Sequence, residues 1–334
     1  MWIFSSILLS AIVFLSAAFA FRLFRGYVQR TVAVTRILRA HIRDAGAGIK
    51  MLEFYSKPAV KEHLAALSSP AGDSIGLFPI SYGLARVIDL IRPAFIGPEN
   101  NSTVVCTVAI GTEFRKRVER CLESHTSFAA GKNITLCVLE EPPPYMGRPA
   151  AWMKIPLIAK LMLAGYKRIL FIDADAMVTN SDFRIEDIFE ELENTNRPIL
   201  VTEDEDGINS GVMLVQNISA AYRLLDLIWL NDSDIHNGTW EQNSLKVLMD
   251  ASNEIRSLVA IESNPKRINS FPVERRLFHP TRTDQIWSYG DFICHFSGLR
   301  TPHLERYISD YATSLRKNAA DLPALVQPLI ARQD

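Results

Sequence analysis

"RILFIDADAMVTN", residues 168–180, is the stretch on which the reading of this chain turns. Arg168 leads into the apolar run Ile169–Ile172, which has the length and β-branched content of a buried strand. Asp173 and Asp175 follow at once, with only Ala174 between them. Such a pair serves either as a metal site or as the solvated end of an ordinary strand. The tripeptide cannot decide between these, because Asp204/Asp206 and Asp232/Asp234 repeat the spacing.

Context separates the three pairs. From about residue 100 strands and helices alternate. "STVVCTVAIG" and "ITLCVL" read as strands flanking a helix at "EFRKRVERCLESH". The loop "EEPPPYMGRP" leads into a helix, "AAWMKIPLIAKLMLAGY", that Gly165 can cap. After residue 180 come a helix at "IEDIFEEL", strands at "PILVT" and "GVMLVQ", a helix that Ser219 can N-cap, and another at "WEQNSLKVLMD". This alternation predicts an α/β domain with a mostly parallel sheet. Ligands of such sheets gather at the carboxyl ends of strands, where Asp173 and Asp175 fall. The other two pairs lie in polar loop sequence.

Composition sets the outer limits. The 334 residues carry a net charge of −1, which gives no electrostatic case for nucleic acid. The four cysteines show no CxxC spacing, against a zinc site or disulfide framework, and the three in apolar strand-like runs are expected as buried thiols. Trp2 to Phe21 contains no charge and is long enough to span a bilayer. An uncleaved membrane anchor over residues 1–24 is expected, the rival being a signal peptide cleaved after Ala18-Phe19-Ala20. Arg22, Arg25 and Arg30 would keep the bulk of the chain cytosolic. Sequons at Asn100, Asn101, Asn133, Asn217, Asn231 and Asn237 point the other way, to a lumenal domain. Residues 25–100 read as a helical stem, with an amphipathic helix at 74–97. The catalytic domain is expected over 101–300, and an amphipathic helical extension over 301–334.

Three further segments bear on the Asp pair. "DEDGINSGVMLVQN" (204–217) is a polar turn running through Asn209-Ser210-Gly211 into a strand, its small residues letting a ligand approach the backbone. In "TWEQNSLKV" Glu241 and Gln242 open a helix beside Trp240. "YGDFICHFSGLR" (289–300) carries His295 on a short strand, followed by Gly298 and Arg300. A lone histidine there is ordinarily a core residue, but beside an Asp pair it becomes a third ligand for a divalent ion.

In this order, "AAWMK", "LFIDADAMVTN", "DGINSGVMLVQN", "WEQNSL" and "YGDFICHFSGLR" resemble the galactosyl/mannosyltransferase family of fungi, glycosyltransferase family 34, which includes plant xyloglucan xylosyltransferases. The resemblance covers roughly residues 103–300. It implies a GT-A, Rossmann-like nucleotide-sugar-binding fold and retaining, manganese-dependent transfer of galactose, mannose or xylose from a UDP- or GDP-sugar to a glycan. Carried over by motif, Asp173, Asp175 and His295 are the metal contacts. Lys154, Asp173, Gly298 and Arg300 lie on the donor side, Arg300 standing where the family commonly has Lys. Asp204 and Asn209 meet the transferred sugar, with Asp206 in place of a common Asn. Gln242 lies near the sugar's β-face, and Glu241 precedes it where plant members have Asp. The resemblance also implies a Golgi or other endomembrane location with a lumenal catalytic domain, and an oligomer or a complex with related transferases. A glycogenin-like family 8 transferase is the alternative enzyme, since it shares the D-x-D, an Asn-Ser-Gly strand and an H-x-G-x-x-K motif. A catalytically dead glycan-binding relative is the alternative of another class.

Overall fold

The computed structural model describes residues 80–98, 102–144, 147–231, 235, 236, 238–299 and 303–317. The expected anchor, most of the stem, Asp232/Asp234 and Arg300 lie outside the described residues. Among those described, no helix is long and apolar enough to cross a membrane.

Seven strands form one sheet: β1 (Ala94–Ile96), β2 (Thr103–Val108), β3 (Thr135–Leu139), β4 (Arg168–Ile172), β6 (Ile199–Asp204), β7 (Gly207–Gln216) and β8 (Val259–Glu262), in the order β1-β3-β2-β4-β7-β6-β8. A separate small sheet pairs β5 (Ala176–Val178) with β9 (Ile293–His295). β4 is buried from Ile169 to Ile172 and sits at the centre of the larger sheet. Its burial requires apolar side chains on both faces, as the run "ILFI" supplies.

The sheet is mixed rather than mostly parallel. β2 runs parallel to β3 and β4, and β6 parallel to β8, but β1/β3, β4/β7 and β6/β7 are antiparallel. The cause lies in the Asp204–Gly207 segment. Asp204 pairs with Gly207 across the two residues Glu205-Asp206, and Gly207 takes φ +109°. A turn this short allows only an antiparallel hairpin, so β7 returns beside β4 in the opposite direction. Asp204 is therefore the last residue of a strand and not a solvated loop.

The helices follow the sequence periodicity closely. α1 (Tyr82–Leu90) buries Leu84, Val87 and Ile88. The expected 74–97 helix is cut short because Pro93 restricts Arg92 to extended backbone, and Ala94–Ile96 instead pairs with β3. The "EFRKRVERCLESH" helix divides at Val118 into α2 (Thr112–Arg117) and α3 (Glu119–Gly131). α4 (Lys154–Leu163) ends with Gly165 at φ +93°, the left-handed residue expected after a helix. α5 (Ile185–Asn194) buries Ile185, Ile188, Phe189 and Leu192, one face at i, i+3, i+4, i+7. α6 (Ser219–Leu230) starts on Ser219 itself, with Ile218 as the flanking residue, so Ser219 is not an N-cap. α7 (Trp240–Ala251), α8 (Asn253–Leu258) and α9 (His303–Lys317) follow among the described residues. α9 buries Leu304, Ile308 and Tyr311 behind β9, with Phe296 edge-on to Tyr311 at 5.3 Å.

All four cysteines are buried and unpaired, the three in apolar strand-like runs as expected and the fourth with them. Two sequons are consumed by the fold. The Asn217 amide donates to Met162 O and Tyr166 O at 2.8 Å each, and Asn231 is 3% exposed. Asn133 is exposed, in the left-handed region at φ +55°.

Candidate metal and ligand site

β4 ends where the site begins. Asp173 N–H donates to Gly211 O at 2.7 Å, extending the β4–β7 ladder by one residue. The chain then turns through Ala174, and Ala176 N–H closes back on Asp173 O. β5 leaves the main sheet and pairs with β9, placing Ala176 opposite His295, while Phe296 N–H holds Asp175 O at 3.0 Å. Thus the two carboxylates and the imidazole are brought together by backbone pairing between segments more than a hundred residues apart. His295 Nε2 lies 3.8 Å from Asp173 Oδ2 and 3.5 Å from Asp175 Oδ1, and one donor atom of each residue falls within 4.8 Å of the others.

His295 is 2% exposed, and its position depends on Gly211. A Cβ on Gly211 would meet His295 Cε1 at 2.0 Å. The small residue here makes room for the imidazole.

Behind Asp173 stands Lys154, 3% exposed. Its Nζ reaches Glu241 Oε1 at 2.8 Å, Asp173 Oδ1 at 3.2 Å and Ser210 O at 3.1 Å. An ammonium has three protons, and three acceptors meet them. The lysine expected on the donor side borders the cavity and also holds the carboxylates in place. Burial by itself would lower its pKa, but Asp173 and Glu241 outweigh this and move it up. Burial raises Asp173 to about 6 against the opposing pull of Lys154 and His295. Asp175 is also penalised by burial, yet His295, when its imidazole is protonated, carries it below the ordinary value by hydrogen bond and charge.

The acceptor-rich wall is built from β7 and α7. Ser210 Oγ donates to Glu241 Oε1 at 2.9 Å, and Ser210 N–H donates to Gln242 Oε1 at 2.9 Å. Glu241 Oε2 is buried without a partner. Asn209 donates from Nδ2 to Asp204 Oδ2 at 2.9 Å. Asp204 also receives Arg275 Nη2 at 2.8 Å, both side chains being 3% exposed. Nothing in the sequence had marked Arg275. It lies on a 3₁₀ turn (Val273–Leu277), stacks on Phe271 at 4.1 Å, and leaves Nε and Nη1 buried without partners. The charge alternation of "PVERRLFHP" carries no period that would single it out. His279 joins the same wall through Asp206 at 2.5 Å.

These residues line one cavity of about 610 Å3, within the range of small-ligand sites. Lys154, Asp173, Asp175, Asp204, Asn209, Glu241, Gln242, His295 and Gly298 all border it, so every described site residue expected from the sequence converges there. Trp240 stands on its rim, 41% exposed, with φ +47°, a sterically costly backbone for a bulky side chain.

A mixed α/β fold with two carboxylates and an imidazole gathered at the end of its central strand, beside a cavity of ligand size, is the architecture of a ligand-binding α/β protein. The family is narrower. Residues 188–302 match the galactosyl transferase GMA12/MNN10 family, so the likeness to glycosyltransferase family 34 is shown over that span. The span holds Asn209, Glu241, Gln242 and His295 and begins after the Asp173/Asp175 pair. A probable alpha-1,2-galactosyltransferase, gmh2, of Schizosaccharomyces pombe is 26% identical over 188 residues, 45% of this chain and 52% of the relative. The chain thus spans about half the length of that curated relative. Among solved structures, a glycosyltransferase involved in glycosylation of the major capsid of PBCV-1 is 14% identical, covering 62% of this chain and 98% of its own, at a TM-score of 0.49. Mouse xyloside xylosyltransferase 1 is 11% identical, covering 58% and 97%, at 0.37. Likenesses of this size assign no residue its role.

Proposed function

We propose that the chain is a metal-dependent, retaining glycosyltransferase of GT-A architecture that moves a sugar, galactose in the first instance, from a nucleotide diphosphate donor to a glycan hydroxyl. The observation that carries this reading is the Asp173–Asp175–His295 cluster opening on a cavity walled by Asp204, Asn209 and Gln242. The match to the GMA12/MNN10 family over residues 188–302 and the likeness to a probable alpha-1,2-galactosyltransferase of yeast support it.

The donor set fits the ion. Two carboxylates and one imidazole, with the carboxylates 32% and 24% exposed toward the cavity, suit Mn2+ or Mg2+ sharing its remaining positions with phosphate. Such an ion, when bound, offsets the negative charge that develops on the departing diphosphate. This chain's own residues do the rest. Lys154 keeps Asp173 and Glu241 fixed and partly neutralised. Asp204, Asn209 and Arg275 present acceptors and donors to the hydroxyls of the transferred sugar. Glu241 and Gln242 offer carboxylate and amide oxygens to the positive charge that builds on the anomeric carbon. An amide is a poor nucleophile, so the acceptor hydroxyl attacks from the face the diphosphate leaves. Its oxygen bonds to the anomeric carbon, the carbon–phosphate-oxygen bond breaks, and the hydroxyl proton passes to the leaving phosphate oxygen. Arg300 is proposed as an additional diphosphate contact, and Trp240 as the rim against which an acceptor sugar stacks.

The reading includes an N-terminal membrane anchor and an endomembrane, Golgi-type location with a lumenal domain. The test uses the full chain with UDP-galactose, GDP-mannose and UDP-xylose, with Mn2+ or with chelator. Transfer or donor hydrolysis that persists in chelator refutes the metal role. No turnover of any donor, with nucleotide-sugar binding unchanged in Asp175→Ala, favours a glycan-binding relative. Loss of a glycan-dependent mobility shift in Asn133→Gln supports the lumenal orientation.

A further inference from the structure

A chain of hydrogen bonds runs behind the site, and its direction is fixed by chemistry. It begins at Asp204, ion-paired with Arg275, where an ionised carboxylate can only accept. Asn209 must therefore point its NH2 at Asp204 Oδ2, at 2.9 Å. That leaves Asn209 Oδ1 to accept, and it receives Gly211 N–H at 2.9 Å. It also receives Asn269 Nδ2 at 3.0 Å, so Asn269 turns its NH2 toward Asn209 and toward Thr202 Oγ1 at 2.9 Å. Asn269 Oδ1 then faces His295 Nδ1 at 2.9 Å. Two acceptors do not share a hydrogen bond, so Nδ1 carries a proton. Asn269 is 0% exposed.

We infer that Asn269 is a positioning residue for the metal centre. The relay Asp204–Asn209–Asn269 fixes His295 with its proton on Nδ1 and aims the Nε2 lone pair at the space between Asp173 and Asp175. The inference rests on the metal reading above. The relay acts against a real alternative: without it, Nε2–H would donate to the two carboxylates at 3.5 and 3.8 Å, and the lone pair would face away from the ion. It also ties the hairpin that meets the sugar to the ligand that meets the metal. Partners of this outer kind are worth about 10–100-fold in metal affinity.

The test is 15N NMR of the histidines in the full chain, metal-free, about two pH units above the ordinary histidine value. Wild type should show His295 as Nδ1–H. His125, whose Nε2 donates to Ala176 O, should show Nε2–H and reports that the fold is intact. In Asn269→Leu, His295 should switch to Nε2–H, and Mn2+ affinity by titration should fall about 10–100-fold. Asn269→Asp keeps an acceptor at Nδ1 and should restore the Nδ1–H form. Nε2–H in wild type, or Nδ1–H in Asn269→Leu with the His125 signal preserved, overturns the relay. Wild type with Nδ1–H that binds neither Mn2+ nor Mg2+ overturns the metal reading instead, so the two failures are distinct.

Discussion

Gly211→Ala inserts one methyl group where the imidazole of His295 already lies. The added Cβ would stand 2.0 Å from Cε1, 2.7 Å from Nδ1 and 2.9 Å from Nε2, whereas ordinary contact begins near 3.4 Å. The ring must retreat by about 1.4 Å to relieve the overlap, more than a well-packed core absorbs without cost. It has little room to do so. Nδ1 is held by Asn269, His295 N–H by Ser270 O at 2.8 Å, and Phe271 packs 5.9 Å away, centre to centre. Overpacking of this kind costs about 1–3 kcal/mol. In a domain of this size that is a Tm lower by about 2–4 °C per kcal/mol. The geometric effect on function is larger, because the displacement carries Nε2 out of the 4.8 Å cluster with Asp173 and Asp175. Thermal melts with and without Mn2+ separate the two effects. Wild type should melt higher with Mn2+, as any ligand that binds only the folded state requires. Gly211→Ala should lose most of that increment. A Gly211→Ala protein with the full wild-type increment would refute the claim that Gly211 exists to seat His295.

Lys154→Met should destabilise by about 3 kcal/mol, since it leaves Glu241 and Asp173 without their buried cation; chemical denaturation measures it. Arg275→Met strands Asp204 in the same way, with a similar loss and a raised KM for the donor, both measurable on one preparation. His125 supplies the pH signature. Burial lowers its pKa to about 4 from 6.5, so between those values the unfolded chain binds more protons and stability falls as pH falls. The full effect is about 3 kcal/mol, and His125→Gln, which keeps a donor for Ala176 O, should flatten acid unfolding over that window. Chelator should lower the Tm of wild type and leave that of Asp175→Ala unchanged, and equal shifts in both would place the ion elsewhere.

Much of the site was legible because each piece has a local signature. An apolar run ending in Asp-x-Asp, a small-residue turn before a strand and a histidine among apolar neighbours are written in consecutive residues. Their convergence was not, since β5–β9 pairing joins Ala176 to His295 across the length of the domain. Asn269 and Arg275 escaped for a related reason. Each sits in irregular chain between β8 and β9, where no period marks one residue above its neighbours, and each acquires meaning only from its partner. Lys154 and Gly211 were noticed, but their protein neighbours were not: Lys154 also holds Asp173 and Glu241, and Gly211 also seats His295. The sheet's mixed direction hinged on two residues, Glu205-Asp206, too short a connection for a crossover.

The Asn217 amide, bound to two carbonyls at once, turns its sequon into a clock. Once β7 has docked beside α4, the nitrogen that would receive a glycan is spent, and modification there requires both hydrogen bonds to open. If this domain is made in an oligosaccharide-transferring compartment, enzyme and fold compete for one atom. Slow-folding variants should then accumulate a glycan at Asn217, and fast-folding ones should escape it. Occupancy at that residue would record, chain by chain, how long the central sheet took to close.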